Sequence, residues 1–180
     1  MHYSDKPIFI VNGHPRAGKD TFTDILGEQV PIVKYSIIDK VKTVAKSMLG
    51  WKGYKREVDR KFLCDLKNLT TEYNDMSFMD VYDKVQEFYE DDSKSIMFID
   101  MREPEDIERA KRVFGARTIF IKNDRVKPIA SNPADAGVEN YEYDFVIENN
   151  GTLAEFEDNI RKFYYDEFLV NDYKNDVDGL

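Results

Sequence analysis

A stretch near the start of the chain has the residue types and spacing of a phosphate-binding loop. Residues 13–21 read G-x-x-x-x-G-K followed by Asp-Thr, directly after a short apolar run and before a segment that favours a helix. Glycines let the backbone curl so that successive N–H groups point at phosphate oxygens, and a helix start adds partial positive charge. The residues that we predict to bind nucleotide phosphates are Gly13, Ala17, Gly18, Lys19, Asp20 and Thr21.

Three charged residues of this loop predict the chemistry of phosphoryl transfer. Lys19 can reach the β- and γ-phosphates of a nucleotide. Asp20 replaces the Ser or Thr that most such loops use to hold Mg²⁺, and a carboxylate is also a hard oxygen ligand for that ion. Arg16 is expected to neutralise phosphate charge during transfer, the alternative being a solvated loop arginine. ATP and Mg²⁺ are therefore the expected cofactors.

Two more charged residues of interest lie at the end of the apolar run at 95–100 and just after it. Asp100 ends that run and is predicted to orient Mg²⁺, the alternative being a cap on the next helix. Arg102 offers a planar fork that matches phosphate geometry, and its alternative is a surface ion pair with Glu105 or Asp106. Both residues are expected at the sheet edge that carries the loop.

Four further residues are candidates for binding the phosphoryl acceptor. Arg60 and Lys67 lie two helical turns apart, so they share a face that could hold the acceptor's phosphate or base; a solvated charged face is the alternative. Asp39 and Lys42 follow the second apolar run, and Asp39 is the best candidate base for a hydroxyl acceptor. Asp39 would otherwise serve only as a helix N-cap.

Alternating apolar runs and amphipathic stretches predict the elements that position these residues. Strands are predicted at 8–12, 32–36, 95–100, 117–122 and 143–148, and helices at 19–29, 39–49, 55–73, 77–90, 104–114 and 153–169. This order implies one α/β domain over 1–170, with a parallel sheet of about five strands and helices on both faces.

Two long connections depart from the minimal alternating pattern. The helical stretch 39–92 is far longer than one crossover needs, so we predict an insert over the carboxyl edge of the sheet. The loop 123–142 is long enough to be a lid, with Arg125 near its start; a plain loop charge is the alternative reading of that arginine. The last residues, 171–180, are expected to form a frayed acidic tail.

Composition limits the partners. The 180 residues carry a formal net charge of −9, which argues against nonspecific binding of nucleic acid or anionic membranes. Cys64 is the single cysteine, so the chain forms no internal disulfide and no cysteine-rich zinc site. No apolar run reaches membrane-spanning length and no signal peptide is visible, so we expect a cytoplasmic protein with small-molecule nucleotide partners. A homodimer remains open.

Several ordered pieces of sequence resemble P-loop kinases, most closely the phage-type deoxynucleoside monophosphate kinases. The pieces are residues 13–21, 39–42 with 49–51, 59–63, 98–102 and 143–153. This resemblance implies a three-layer P-loop kinase fold and transfer of phosphate from ATP to a (deoxy)nucleoside monophosphate. The loop also resembles that of phosphomevalonate kinases, and a hydroxyl acceptor, as in dephospho-coenzyme A kinases, stays open. A nucleotide-binding ATPase or switch module is the remaining alternative.

Overall fold

The protein is represented by a computed structural model, which describes residues 6–126 and 138–169. Within these residues the strands are β1 Ile8–Asn12, β2 Ile32–Ser36, β3 Ile96–Asp100, β4 Arg117–Lys122 and β5 Phe145–Glu148. The helices are α1 Lys19–Gly27, α2 Asp39–Leu49, α3 Glu57–Asn74, α4 Met76–Glu90, α5 Pro104–Phe114 and α6 Leu153–Tyr164. A short 3₁₀ turn covers Val138–Asn140, and a wide helical turn, Tyr165–Leu169, follows α6.

The five strands form one parallel sheet in the order β2-β3-β1-β4-β5. Parallel strands place all their carboxyl ends at one edge, where ligands bind in open α/β sheets. The register pairs Val11 of β1 with Asp100 of β3 and Asn12 with Phe120 of β4. The loop that follows β1 therefore emerges beside the end of β3, and the predicted fold class is confirmed.

Helices cover both faces of the sheet because the central strand is buried on both sides. Along β1, Ile8 and Ile10 pack in one cluster, which includes buried residues of α4 and α5. Phe9 and Val11 point to the opposite face and pack with buried residues of α1 and α6. Alternate side chains of a strand face opposite ways, so this near-continuous apolar run produces a three-layer arrangement.

Helix α3 differs from the other helices in what it buries. Its buried residues are Asp59 and Lys67, and both are charged. Apolar residues such as Leu69 and Tyr73 are exposed on it. A helix that buries charged side chains has them paired or facing a ligand site. Among the described residues, none of the helices is long and apolar enough to cross a membrane.

The observed boundaries equal the sequence predictions or lie within two residues of them, except at the end of α6. Helix α1 ends at Gly27 because the Gln29 N–H donates to the Leu26 carbonyl at 3.0 Å, a tighter turn than an α-helix has. Strand β5 begins at Phe145 because the Thr118 N–H donates instead to the Asp144 carboxylate, at 2.7 Å. The predicted helix to 169 widens after Tyr164. Most of the predicted lid loop, 127–137, and the tail at 171–180 lie outside the described residues.

Candidate active site

The backbone of the phosphate-binding loop requires glycine at two positions. Gly13 has φ +147° and Gly18 has φ +108°, values that other residues rarely adopt. A Cβ atom on Gly13 would lie 2.7 Å from the carbonyl oxygen of Ile121. Arg16 also has positive φ, +71°, and its exposed side chain makes no ion pair within the described ranges. The spacing that predicted the loop thus corresponds to a tightly curled backbone.

Helix α1 begins at the loop with its amide groups available. Gly18 is its N-cap, and no side chain caps the first turn. The Lys19 Nζ donates to the Gly13 carbonyl at 2.9 Å, and the Asn12 Oδ1 accepts from the Gly13 N–H at 2.8 Å. Thr21 lies half-buried in the first turn of α1. An uncapped helix start beside a lysine is an arrangement that binds phosphate.

Asn149, which the sequence did not single out as a functional residue, supports the loop from the far side. Its Nδ2 donates to the Ala17 carbonyl at 2.8 Å, and its own N–H donates to the Lys122 carbonyl at 2.7 Å. Through its side chain and its backbone together, Asn149 therefore connects the end of β4 and the turn after β5 to the loop. Its signal in the sequence is weak, because a strand-end Asn is common in turns.

Arg125 lies on the same side of the loop. Its guanidinium donates to the Asn149 carbonyl at 3.0 Å, so the arginine is held at the turn between β5 and α6. The 3₁₀ turn approaches the loop through Glu139, whose carboxylate lies 3.2 Å from the Nε2 of His14. Both contacts are made by described residues of the predicted lid, which are 123–126 and 138–142. The contact with Asn149 does not place Arg125 over the phosphate position.

Asp100 lies at the end of β3, where the loop and the acceptor side of the site meet. Burial raises the pKa of its carboxyl group, and the positive charges of Lys19 and Arg102 oppose that rise. Asp20 raises this pKa further and Lys42 lowers it, so all four side chains are close enough to act on Asp100. Asp100 and Arg102 thus lie together at the sheet edge that carries the loop, where the sequence analysis expected them.

A water-sized cavity of about 20 Å³ lies between the two acidic side chains, and Lys19, Asp20 and Asp100 line it. Lys34 of β2 also lines it; its Nζ lies 3.9 Å from the Asp20 carboxylate and 3.0 Å from that of Asp24. Within the described ranges, no group of three or more His, Cys, Asp or Glu side chains could hold a metal by itself. Two carboxylates nevertheless fit Mg²⁺, which takes most of its ligands from phosphate and water.

A larger cavity of about 390 Å³ opens between α2, α3 and the segment after β3. Among its charged lining residues the positive ones outnumber the acidic Asp100 and Glu103; they are Lys42, Lys55, Arg60, Lys67 and Arg102. Its size lies within the range of small-molecule sites. Arg60 is exposed and makes no ion pair with any described residue. The structure thus brings four predicted basic residues to one cavity that also reaches Asp100: Lys42, Arg60, Lys67 and Arg102.

Asp39 and Lys67 are more constrained than the sequence suggested. The carboxylate of Asp39 accepts from the Ser36 N–H at 3.1 Å and pairs with Lys42 at 2.8 Å, so it organises the start of α2. Lys67 lines the cavity but is buried, and its Nζ lies 2.9 Å from Glu103 and 2.7 Å from Asp106. Burial alone would lower the pKa of Lys67, but the two carboxylates outweigh it and hold the pKa above its ordinary value.

Solved structures share this architecture. The dephospho-CoA kinase from Campylobacter jejuni superposes with a TM-score of 0.54 at 14% identity, covering 89% of this chain and 97% of that one. The chain has the fold of the P-loop kinases. A structure of TT1252 from Thermus thermophilus gives a TM-score of 0.51 at 16% identity, over 91% and 98% of the two chains. No protein-family model and no curated protein sequence matches the chain. Similarity at this identity shows a shared fold, whereas function depends on the residues of the site.

Proposed function

We propose that the protein transfers the γ-phosphoryl group of ATP, in the presence of Mg²⁺, to a (deoxy)nucleoside monophosphate. The observation that carries the proposal is the position of Asp100, which adjoins both the phosphate-binding loop and a cavity lined by positive side chains. A donor site and an anion-binding acceptor site that meet at one carboxylate are what phosphoryl transfer between two nucleotides requires. We extend the proposal to a cytoplasmic enzyme whose partners are small nucleotides.

On the donor side, the residues act by binding and by neutralising charge. The loop amides and Lys19 would hold the β- and γ-phosphates, and Arg16 would reach the transferred group from inside the loop. Asp20 and Asp100 would hold Mg²⁺. Bound there, the ion would neutralise phosphate charge and orient the transferred group.

On the acceptor side, Lys42, Arg60 and Arg102 would bind the acceptor phosphate in the positive cavity. A monophosphate is already ionised near neutral pH, so its oxygen can attack without a general base. A hydroxyl acceptor needs a carboxylate that is available to take its proton. Asp39, the sequence candidate for that base, is engaged by Ser36 and Lys42, which favours the monophosphate.

A coupled ADP-release assay tests this proposal. The protein is supplied with ATP and Mg²⁺ and with each ribo- and deoxynucleoside monophosphate, and an acceptor-free reaction serves as control. Release that depends on one or a few monophosphates is the expected result. Acceptor-independent release would instead indicate an ATPase or switch. No release with any monophosphate, together with turnover of dephospho-coenzyme A or phosphomevalonate, would show that the protein is a phosphotransferase with a different acceptor.

Arg60→Ala and Arg112→Ala form a matched pair of variants for the acceptor site. Both arginines are exposed on helices, but Arg60 lines the cavity and Arg112 does not. We expect Arg60→Ala to raise KM for the acceptor, leaving KM for ATP nearly unchanged, because a phosphate contact is lost. Arg112→Ala should change neither constant. If the two variants had equal KM values for the acceptor, Arg60 would not be part of the acceptor site.

A further inference from the structure

Two acidic side chains line the cavity of about 390 Å³ that we assign to the acceptor: Asp100, which the proposed function gives to Mg²⁺, and Glu103. Glu103 lines the same space as Arg60 and Arg102, and its side chain is 37% exposed. The carboxylate would repel an acceptor phosphate, which leaves the phosphate to the lysines and arginines. The acceptor therefore has to meet Glu103 with a neutral part.

The side chain of Glu103 is oriented by an ion pair and does not cap the helix that it precedes. Glu103 is the N-cap residue of α5, yet its side chain makes no capping hydrogen bond. Its Oε2 instead lies 2.9 Å from the Nζ of Lys67, whose side chain is 10% exposed. The other oxygen, Oε1, makes no hydrogen bond to any residue in 6–126 or 138–169. A held carboxylate with one open oxygen can only accept a hydrogen bond.

We infer that Glu103 determines acceptor specificity by accepting a hydrogen bond from a neutral N–H or O–H group of the acceptor. The inference rests on the proposed function. It specifies which part of the acceptor, in addition to its phosphate, the cavity recognises. In a nucleotide, the donor group belongs either to the base or to the sugar. A site built to pair with a donor discriminates strongly against acceptors that lack it, because its own polar group is then left unpaired.

A purely structural role for Glu103 makes a different prediction, which Asp106 can test. Asp106 also pairs with Lys67, at 2.7 Å, but it does not line the cavity. If the cluster only ties α3 to α5, Glu103→Gln and Asp106→Asn should behave alike. If Glu103 contacts the acceptor, only Glu103→Gln should change which acceptor is preferred.

The experiment measures kcat/KM of the full chain for monophosphates that differ in one feature. One arm compares the four bases on the same sugar, and the other compares ribose with deoxyribose on the same base. Glu103→Gln should change the ratios of one arm about tenfold, through KM more than kcat. A change in the base arm assigns the donor to the base, and a change in the sugar arm assigns it to the sugar.

Two controls keep the outcome interpretable. Asp106→Asn should leave both sets of ratios within twofold of the unmodified protein, and thermal melting checks that each variant is folded. Glu103→Asp keeps the charge beside Lys67 but withdraws the open oxygen, so it should shift the same ratios as Glu103→Gln. Ratios unchanged in both Glu103 variants, or changed equally in Asp106→Asn, would overturn the inference. Unmodified protein that turns over no monophosphate would overturn the proposed function and the inference together.

Discussion

Gly18→Ala is the substitution whose effect the structure predicts in most detail. Gly18 has φ +108°, and a Cβ atom there would lie 2.5 Å from the Nδ2 of Asn149 and 3.3 Å from the ring of Phe156. That Nδ2 donates to the Ala17 carbonyl at 2.8 Å. The methyl group would therefore strain the backbone and also displace the side chain that holds the phosphate-binding loop in place.

The two effects can be given magnitudes. A non-glycine residue in the left-handed region costs roughly 1–2 kcal/mol. Loss of one intramolecular hydrogen bond adds roughly 1 kcal/mol. We therefore expect Gly18→Ala to lower the free energy of unfolding by about 2–3 kcal/mol, and to weaken ATP binding because the loop amides shift. Urea denaturation and calorimetric ATP titration measure the two effects.

Gly115→Ala is the matched control, because it keeps the backbone effect and removes the clash. Gly115 has φ +64°, and no atom lies within 4 Å of a Cβ built there. Its expected cost is about 1 kcal/mol, with ATP affinity unchanged. In addition, the double variant Gly18→Ala with Asn149→Ala should lose less stability than the sum of the two single losses, because Asn149→Ala removes the clashing atom. Equal losses at Gly18 and Gly115, or strict additivity with Asn149→Ala, would refute the reasoning.

Three further variants test other parts of the structure. Lys19→Ala should lose most turnover yet melt near the unmodified protein, because Lys19 supplies phosphate-binding charge at the loop and is not one of the buried apolar core residues; full turnover would contradict the loop assignment. Asp144→Asn tests the carboxylate that binds Thr118. Burial by itself would raise the pKa of Asp144, but the hydrogen bonds from Thr118 hold this pKa below its ordinary value. Its stabilising effect is present above the ordinary Asp pKa of about 3.9 and is lost as pH falls below it, so the stability difference between protein and variant should shrink in acid urea titrations. Lys67→Met leaves two carboxylates without their cation and should cost about 2–3 kcal/mol in denaturant titrations, whereas Lys61→Met, at an exposed pair, should have little effect.

The parts of the fold that the sequence predicted are those set by local pattern. The phosphate-binding loop was recognisable because the φ values of Gly13 and Gly18 are demands of the loop itself. Helix and strand order followed from apolar periodicity, which needs no knowledge of distant residues. Boundaries were less predictable: β5 starts two residues later than the pattern indicates because the Asp144 side chain takes a hydrogen bond from Thr118, 26 positions away.

The missed site residues depend on contacts between distant segments. Asn149 reaches the Ala17 carbonyl across 132 positions, and Lys34 approaches Asp20 from an edge strand. Glu103 reads in sequence as an acidic residue before a helix, and its meeting with Lys67 requires α3 and α5 to pack together. No spacing rule within one segment can predict such pairs.

The local distribution of charge, more than the net charge of the chain, determines which substrate the site can bind. The chain has a net charge of −9, which by itself would repel polyphosphates. At physiological ionic strength, however, exposed charges are largely screened beyond about 8 Å. A phosphate at the carboxyl edge of the sheet therefore responds mainly to Lys19, Lys42 and Arg102, which act on the partly buried Asp100 at the same edge. Acidic composition is thus compatible with a nucleotide-binding site, and its local cluster of positive charge explains why the proposed acceptor is an anion.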